Sequence, residues 1–314
     1  MKTLIRSLHH VTATVADAQD DLDFYVGVLG QRLVKKTVNF DNHHVYHFYY
    51  GNEAGTPGTI MTTFPYKGKG VRAGTRGAGQ ITVTSFSVPH DALGFWRVRL
   101  EERGVAFEDA PTGFGEDAIR VDDPSGLAVR IVGSAQDARP PWDRAGIASS
   151  EAIRGIHGVT LLVREPVRTI ALLTEMLDGA VIAEHAGTTR VGINGSAPGQ
   201  VVEVAAAGSA GDAVNGLGTV HHVAFAIADG EQQVAIREQL LRRGLRVTEV
   251  LDRQYFTSIY FREPGGVLFE IATIPPGFAN DEPLADLGRA LKLPPWEETN
   301  RREIEAGLPQ VVHP

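Results

Sequence analysis

Two stretches of the chain carry adjacent histidines in matching settings, "SLHHVTATVAD" at Ser7–Asp17 and "TVHHVAFAIAD" at Thr219–Asp229. A neutral imidazole offers a lone pair to a metal and exchanges protons near neutral pH, so such doublets are candidates for metal or acid–base chemistry. The chain has no cysteine. Disulfides, thiolate ligands and Fe–S clusters are thereby excluded, and any metal must rest on His, Asp, Glu or Tyr. Neighbouring residues on a strand point to opposite faces. Only one histidine of each doublet is therefore expected to face a shared site.

The elements that would position these histidines repeat along the chain. "QITVTSFSVPH" (Gln80–His90) and "GIHGVTLLVRE" (Gly155–Glu165) fit the same outline without the doublet. Aligned on Val15, Val88, Val163 and Ile227, the four segments are 73, 75 and 64 residues apart. Each is followed by a segment with apolar residues at helical spacing and a closing glycine: "AQDDLDFYVGVLG", "DALGFWRVRLEERG", "PVRTIALLTEMLDG" and "EQQVAIREQLLRRG". Strand-like runs follow, ending in "GTIMTTF", "GLAVRIV", "GQVVEVA" and "GVLFEIA". The unit reads β-α-β-β-β, and a fourfold repeat of it implies an α+β fold of four βαβββ modules paired into two domains, with curved mixed sheets around a metal site. The expected division is an N-terminal domain over 1–140 (modules 7–66 and 80–134), a Pro-rich linker over 141–152, a C-terminal domain over 153–274 with two more modules, and a tail over 275–314. The tail is expected to pack over the last module and to carry a short helix near Glu297–Ala306.

A structural repeat requires its apolar positions to match, whereas a site requires particular polar ones. Before the shared Val of the first strand the modules place His10, Val83, Gly158 and His222. At the matching point of the last strand they place Thr62, Arg130, Glu203 and Glu270. Modules one and four thus supply two histidines and a glutamate. Such a set makes a facial triad that suits Fe(II) and leaves positions open for substrate and oxygen. Two alternatives remain open at this stage. Glu203 is a second carboxylate at a ligand-equivalent position. His157 could replace His10 if a β-bulge in module three shifts its facing by one.

Bulk properties limit the partners. A formal net charge of −8 argues against nucleic acid or an anionic membrane. No apolar run is long enough to span a bilayer, and the opening "MKTLIRSLHHV" has no secretory pattern, so a cytoplasmic location is expected. A homo-oligomer is left open. The glycine-rich "YKGKGVRAGTRGAGQ" (Tyr66–Gln80) is followed by a strand instead of a helix, which argues against a phosphate cradle and for a flap or inter-module linker. Of His43, His44 and His47 in "DNHHVYHFYYG", one is placed to reach a pocket.

The "HVTATVAD…DFYVGVLG" and "HHVAFAIAD…GGVLFEIA" signatures resemble the vicinal oxygen chelate superfamily, which includes glyoxalases, extradiol ring-cleaving dioxygenases and antibiotic-resistance proteins. "SLHHVT", "GTPGTIMTTFP", "VHHVAFAI", "DRQYFTSIYFREPGGVLFE" and "PGFANDE" narrow the resemblance to ring-cleaving dioxygenases of hydroquinones and related aromatics. It runs from about Leu8 into the tail. It implies iron held by His10, His222 and Glu270, the set the repeat comparison gives. It also implies Arg253 and Tyr260 beside the site, with His9 and His221 close by. Implied partners are Fe(II) (with Mn(II) as the alternative), an aromatic substrate and O2. Competing readings are a glyoxalase-like metal-dependent lyase or isomerase, which Glu203 as a ligand would favour, and drug sequestration, which would predict an empty ligand set. Tyr260 as a packing residue and Arg253 as a surface ion pair are the plain structural alternatives.

Overall fold

The computed structural model describes residues 4–314. Four modules repeat one order of elements. Module one consists of β1 (Ile5–Val15), α1 (Ala18–Leu22, continued by a π-helical turn over Asp23–Val28), β2 (Arg32–Asn39), β3 (Asn42–Gly51) and β4 (Ile60–Pro65). Module two has β5 (Gln80–Pro89), α2 (Leu93–Glu102), β6 (Phe107–Asp109), β7 (Ala118–Asp122) and β8 (Ala128–Ser134). Module three has β9 (Gly155–Val163), α3 (Pro166–Met176), β10 (Gly179–His185), β11 (Thr188–Ile193) and β12 (Val201–Ala206). Module four has β13 (Thr219–Ile227), α4 (Gly230–Arg242), β14 (Leu251–Asp252), β15 (Thr257–Arg262) and β16 (Leu268–Thr273), and α5 (Arg301–Gly307) lies in the tail. The expected α+β architecture of repeated βαβββ modules is thus the fold of the chain.

The strands form two eight-stranded mixed sheets, β14-β15-β16-β13-β1-β4-β3-β2 and β10-β11-β12-β9-β5-β8-β7-β6. Modules one and four share the first sheet, modules two and three the second. Residues 141–152 fall between modules two and three in sequence, and each hydrogen-bonded sheet joins modules from both sides of that stretch. In each sheet the two first strands meet at the centre, antiparallel, and each is flanked by its own module's last strand in parallel. The centre of each sheet therefore gathers two first strands and two last strands, the positions where the sequence concentrates its chemistry.

The linker between modules one and two runs against the one between modules three and four, with bridges Ala73–Leu217, Thr75–Val214 and Ala78–Asp212. A Cβ at Gly77 would stand 2.4 Å from the Gly211 carbonyl oxygen, and one at Gly216 would stand 2.4 Å from that of Arg72. These glycines let two backbones touch. The basic, glycine-rich stretch is the paired linker of the two expected readings.

The tail departs from expectation. Only its start packs on module four, where Tyr255 donates to Asp281 at 3.0 Å and stacks near Phe278, and it then crosses onto module one. Lys35 on β2, fully buried, pairs with Glu282 and lies 2.6 Å from Asp281. Further along, Leu291 bridges to Lys36, and Pro309 accepts a hydrogen bond from Tyr46 at 3.0 Å. A buried ammonium requires paired acids, and the acids of "ANDE" supply them.

Helix α1 is held to its sheet by a buried acid. Asp21 Oδ2 accepts hydrogen bonds from Tyr50 Oη at 2.6 Å and Thr63 Oγ1 at 2.5 Å. Burial pushes the Asp21 carboxyl up to about 8 despite both donors. An unfolded chain releases this proton near the ordinary aspartate value of about 3.9. Between those values the folded state binds the extra proton, so this group's contribution to stability falls as pH rises from about 4 to about 8. Asp21→Asn should flatten that part of the profile. Melting temperatures from pH 5 to 8 in chelator would show it, and an unchanged slope would refute the assignment.

Candidate metal centre

Three donor atoms converge where the first sheet joins its two modules. His10 Nε2 (β1) lies 3.2 Å from His222 Nε2 (β13) and 3.2 Å from Glu270 Oε2 (β16). His222 Nε2 lies 2.8 Å from the same oxygen. Register explains the meeting. His10 pairs with Ala224 on β13, and Ala224 pairs with Glu270 on β16, so the three stand in one row. His222 is two residues before Ala224 and therefore on the same face. The small Ala224 side chain lies between the two long ones and leaves room above it. The next position of the row is Tyr260 on β15.

Both doublets bring their two histidines together, against the simple alternation of strand faces. His9 Nδ1 is 2.9 Å from His10 Nδ1, and His221 Nδ1 is 2.7 Å from His222 Nδ1. The cause is in the β1–β13 ladder. Leu8 pairs with Phe225 and His10 with Ala224, which leaves His9 as an extra residue. Thr12 pairs with His222 and Ala13 with Val220, which leaves His221 as an extra residue. Each first histidine is a bulge residue, so its side chain turns toward its neighbour. The expectation that only one member of each doublet faces the site therefore needs correction: one member reaches the convergence point and the other supports it. The β5–β9 ladder skips Thr82 and His157 in the same way, so all four first strands share the irregularity and the repeat alignment holds.

The support has a chemical consequence. A neutral imidazole has one N–H and one lone pair. With the N–H of His10 and of His222 at Nδ1, donated to the preceding histidine, each Nε2 presents an open lone pair to Glu270. Burial, with the adjacent histidine, lowers the pKa of His9 and of His221 to about 3 each, which keeps both neutral. Burial raises the Glu270 carboxyl; only if His10 and His222 are instead protonated at Nε2 do they outweigh this and hold it well below the usual carboxylate range. Glu270 Oε1 accepts from Ser258 Oγ. Oε2, fully buried, has no hydrogen-bond donor among the described residues. Two lone pairs and an unpartnered carboxylate oxygen within 3.2 Å of one another lack only a cation. The donor set fits a divalent transition metal with open positions.

Beside this point lies a cavity of about 250 Å³. An apolar cavity on the order of 150 Å³ takes benzene, so the space suits a single substituted ring. Its walls are largely aromatic, with Phe40, Tyr49, Phe64 and Phe256 among them. Phe256, which sequence reasoning did not single out, packs against His9 and His10 with ring centroids 5.0 and 5.3 Å apart. Tyr260 and Arg253 both line the cavity. Arg253 Nε donates to Tyr260 Oη at 3.3 Å, and its guanidinium lies 3.2 Å from Asp41. The ion-pair partner of Arg253 is thus an acid from the β2–β3 hairpin tip of module one, reached across the cavity mouth. Burial, reinforced by Glu270, raises the Tyr260 phenol above its ordinary value.

His47 is the member of the module-one cluster that reaches the cavity. His43 instead pairs with Glu297 of the tail at 2.9 Å, and His44 is exposed. The two alternative ligands lie in the second sheet. Glu203 accepts from Arg190 at 2.8 Å and Thr160 at 2.7 Å, and His157 Nε2 is 2.9 Å from Glu116. Neither belongs to the convergent set.

The model of the Glyoxalase/Bleomycin resistance protein/Dioxygenase superfamily matches residues 7–131 and 155–271. The Bacillus subtilis protein named "Putative ring-cleaving dioxygenase MhqE" is 47% identical over 99% of this chain and 100% of its own length. The "Chlorohydroquinone/hydroquinone 1,2-dioxygenase" of Sphingobium indicum is 35% identical over 96% of this chain and 95% of its own. A crystal structure titled as a putative dioxygenase from Bacillus subtilis superposes with a TM-score of 0.93 at 40% identity, covering 99% of both chains.

Metal retention discriminates among the histidines and carboxylates. In anaerobic equilibrium dialysis with Fe(II), and with Zn(II) as a redox-silent comparison, the protein is expected to hold one ion per chain. His10→Ala, His222→Ala and Glu270→Gln should lose it, while His9→Ala and His221→Ala should weaken it about 10- to 100-fold. His157→Ala and Glu203→Gln should bind as the parent does. Loss in His157→Ala with retention in His10→Ala would overturn the assignment.

Proposed function

The chain belongs to the Glyoxalase/Bleomycin resistance protein/Dioxygenase superfamily, and we propose that within it the chain is an Fe(II)-dependent ring-cleaving dioxygenase acting on hydroquinone- or catechol-type aromatics. The observation that carries the reading is the buried, donor-starved Glu270 Oε2 facing two imidazole nitrogens at the edge of an aromatic-walled cavity. The names of the full-length relatives support the same reaction class. His10, His222 and Glu270 would hold the iron, with Mn(II) as an alternative ion. When bound, the metal would supply open positions for a ring hydroxyl and O2, and the electron transfer that couples them. Both oxygen atoms enter the product as a ring carbon–carbon bond breaks beside the hydroxyl, and no external reductant is consumed.

The chain's own groups prepare that reaction. The aromatic walls orient the ring and exclude bulk water. Arg253, fixed by Asp41 and Tyr260, places a permanent positive charge where a deprotonated ring oxygen needs it. Tyr260 keeps its proton, because burial and Glu270 both disfavour the phenolate, so its O–H is a donor to a ring oxygen or to bound oxygen. In the tautomer that supports His222, His221 carries its proton at Nε2 and is a second donor at the cavity wall. The glyoxalase-like alternative draws no support here, since Glu203, the extra carboxylate it needs, is taken up by Arg190 and Thr160 in the other sheet.

Oxygen uptake on anaerobically loaded protein tests the proposal. One O2 should be consumed per hydroquinone, with a panel of catechols setting the ring preference. Tyr260→Phe should lower kcat about 100-fold with metal content unchanged. Activity on a thiol adduct without oxygen, with none on any aromatic diol, would sink this reading.

A further inference from the structure

Strand β3 brings a further imidazole to the cavity, and its hydrogen bonding leaves one nitrogen unused. His47 lies between Tyr49 and Phe64, with ring centroids 4.0 and 4.3 Å away, so its plane is fixed. Its Nε2 is 2.8 Å from Thr62 Oγ1, and the Thr62 hydroxyl donates to Thr12 Oγ1 at 2.9 Å. A hydroxyl has one hydrogen to give. Thr62 gives its own to Thr12 and so accepts from His47 Nε2–H. Burial lowers the His47 pKa well below the ordinary imidazole range, which keeps the ring neutral. A neutral ring protonated at Nε2 carries a bare lone pair at Nδ1. That nitrogen has no protein partner among the described residues. Nor is it among the buried, unpartnered atoms, so it is accessible, and His47 is one of the residues that line the cavity.

The position in the sheet says which part of a ring this acceptor meets. His47 is on β3, two strands from β1 and on the far side of β4. At the usual strand spacing this is roughly 10 Å from the strand that carries His10. A ring oxygen beside His10 and His222 therefore leaves the opposite end of the ring toward His47.

We propose that His47 Nδ1 is a hydroxyl-acceptor subsite that selects aromatics bearing a second hydroxyl across the ring from the oxygen held beside His10 and His222, that is, hydroquinones in preference to rings without that group. This assignment rests on the reading of the cavity as an aromatic-diol site. Thr62 and Thr12 act as positioning residues, since they fix the tautomer without facing that hydroxyl.

Anaerobic titration of the Fe(II)-loaded protein with hydroquinone and with phenol tests it without turnover, because the two ligands differ only in the second hydroxyl. The parent protein should bind hydroquinone about tenfold more tightly than phenol, the worth of one buried hydrogen bond. His47→Phe should bring the two within about twofold while leaving phenol affinity in place. His47→Gln, whose amide oxygen still accepts, should retain part of the preference. A His47→Phe protein that keeps the tenfold preference overturns the subsite alone. So does an equal loss of both ligands in the Phe and Gln variants, which would assign His47 to packing. A parent protein that binds neither ring overturns the ring-cleaving reading and the subsite together, and the two failures are thereby distinguished.

Discussion

A carboxylate without enough donors, enclosed by protein, is the constraint around which the first sheet is organised. Glu270 is fully buried and pairs with no lysine or arginine among the described residues. One of its oxygens is served by Ser258 and the other faces the Nε2 atoms of two imidazoles, which turn lone pairs toward it when both carry their N–H at Nδ1. In a low-dielectric interior such an arrangement is repulsive until a cation enters. The fold must hold it regardless, and does so by placing His10, Ala224 and Glu270 in one row across three central strands. His10 and His222 are 212 residues apart in sequence. The site therefore exists only once modules one and four share a sheet, and the donor set and the inter-module junction are one structure.

The second sheet shows what the same frame does without that chemistry. At the slot of His10 and His222 module three has Gly158, where a Cβ would stand 2.7 Å from the Val201 carbonyl oxygen. Backbone closeness thus bars any side chain from a ligand's place. Glu203, at the slot of Glu270, is met by Arg190 at 2.8 Å and Arg130 at 3.5 Å. Guanidinium groups supply there the positive charge that a metal would supply in the first sheet. Both sheets retain the strand order and the bulges, so the bulges belong to the scaffold and not to the metal. Only where both first strands carry one histidine in the bulge and another directly after it does the irregularity bring two imidazoles together.

The repeat was legible in the sequence because apolar periodicity and turn glycines recur in all four modules, and the row of donors followed from aligning them. What alternation alone could not show was the facing of His9 and His221. A bulge is set by how two strands register against each other, and nothing in "LHH" or "VHH" marks the extra residue. The partner of Arg253 was hidden for a similar reason. Asp252 is next to it in sequence, but the charge that holds it is Asp41, brought over by a hairpin of another module. The tail's destination was unreadable because Lys35 lies in an apolar-looking strand and pairs with acids 246 and 247 residues away.

Hydrogen-bond direction is the layer furthest from sequence, and the chemistry depends on it. His10 and His222 present lone pairs only if their N–H groups are spent on the preceding histidines. His47 presents one only if its N–H is spent on Thr62. In each case a neighbour fixes which nitrogen is bare, and burial keeps His9, His221 and His47 neutral. On the proposed reading the same residue type is an open electron-pair donor at three points around one cavity: twice toward a cation, and once toward a hydroxyl. A sequence lists the histidines without their protons. The sheet, by choosing each ring's partner, decides which nitrogens are left bare around the cavity.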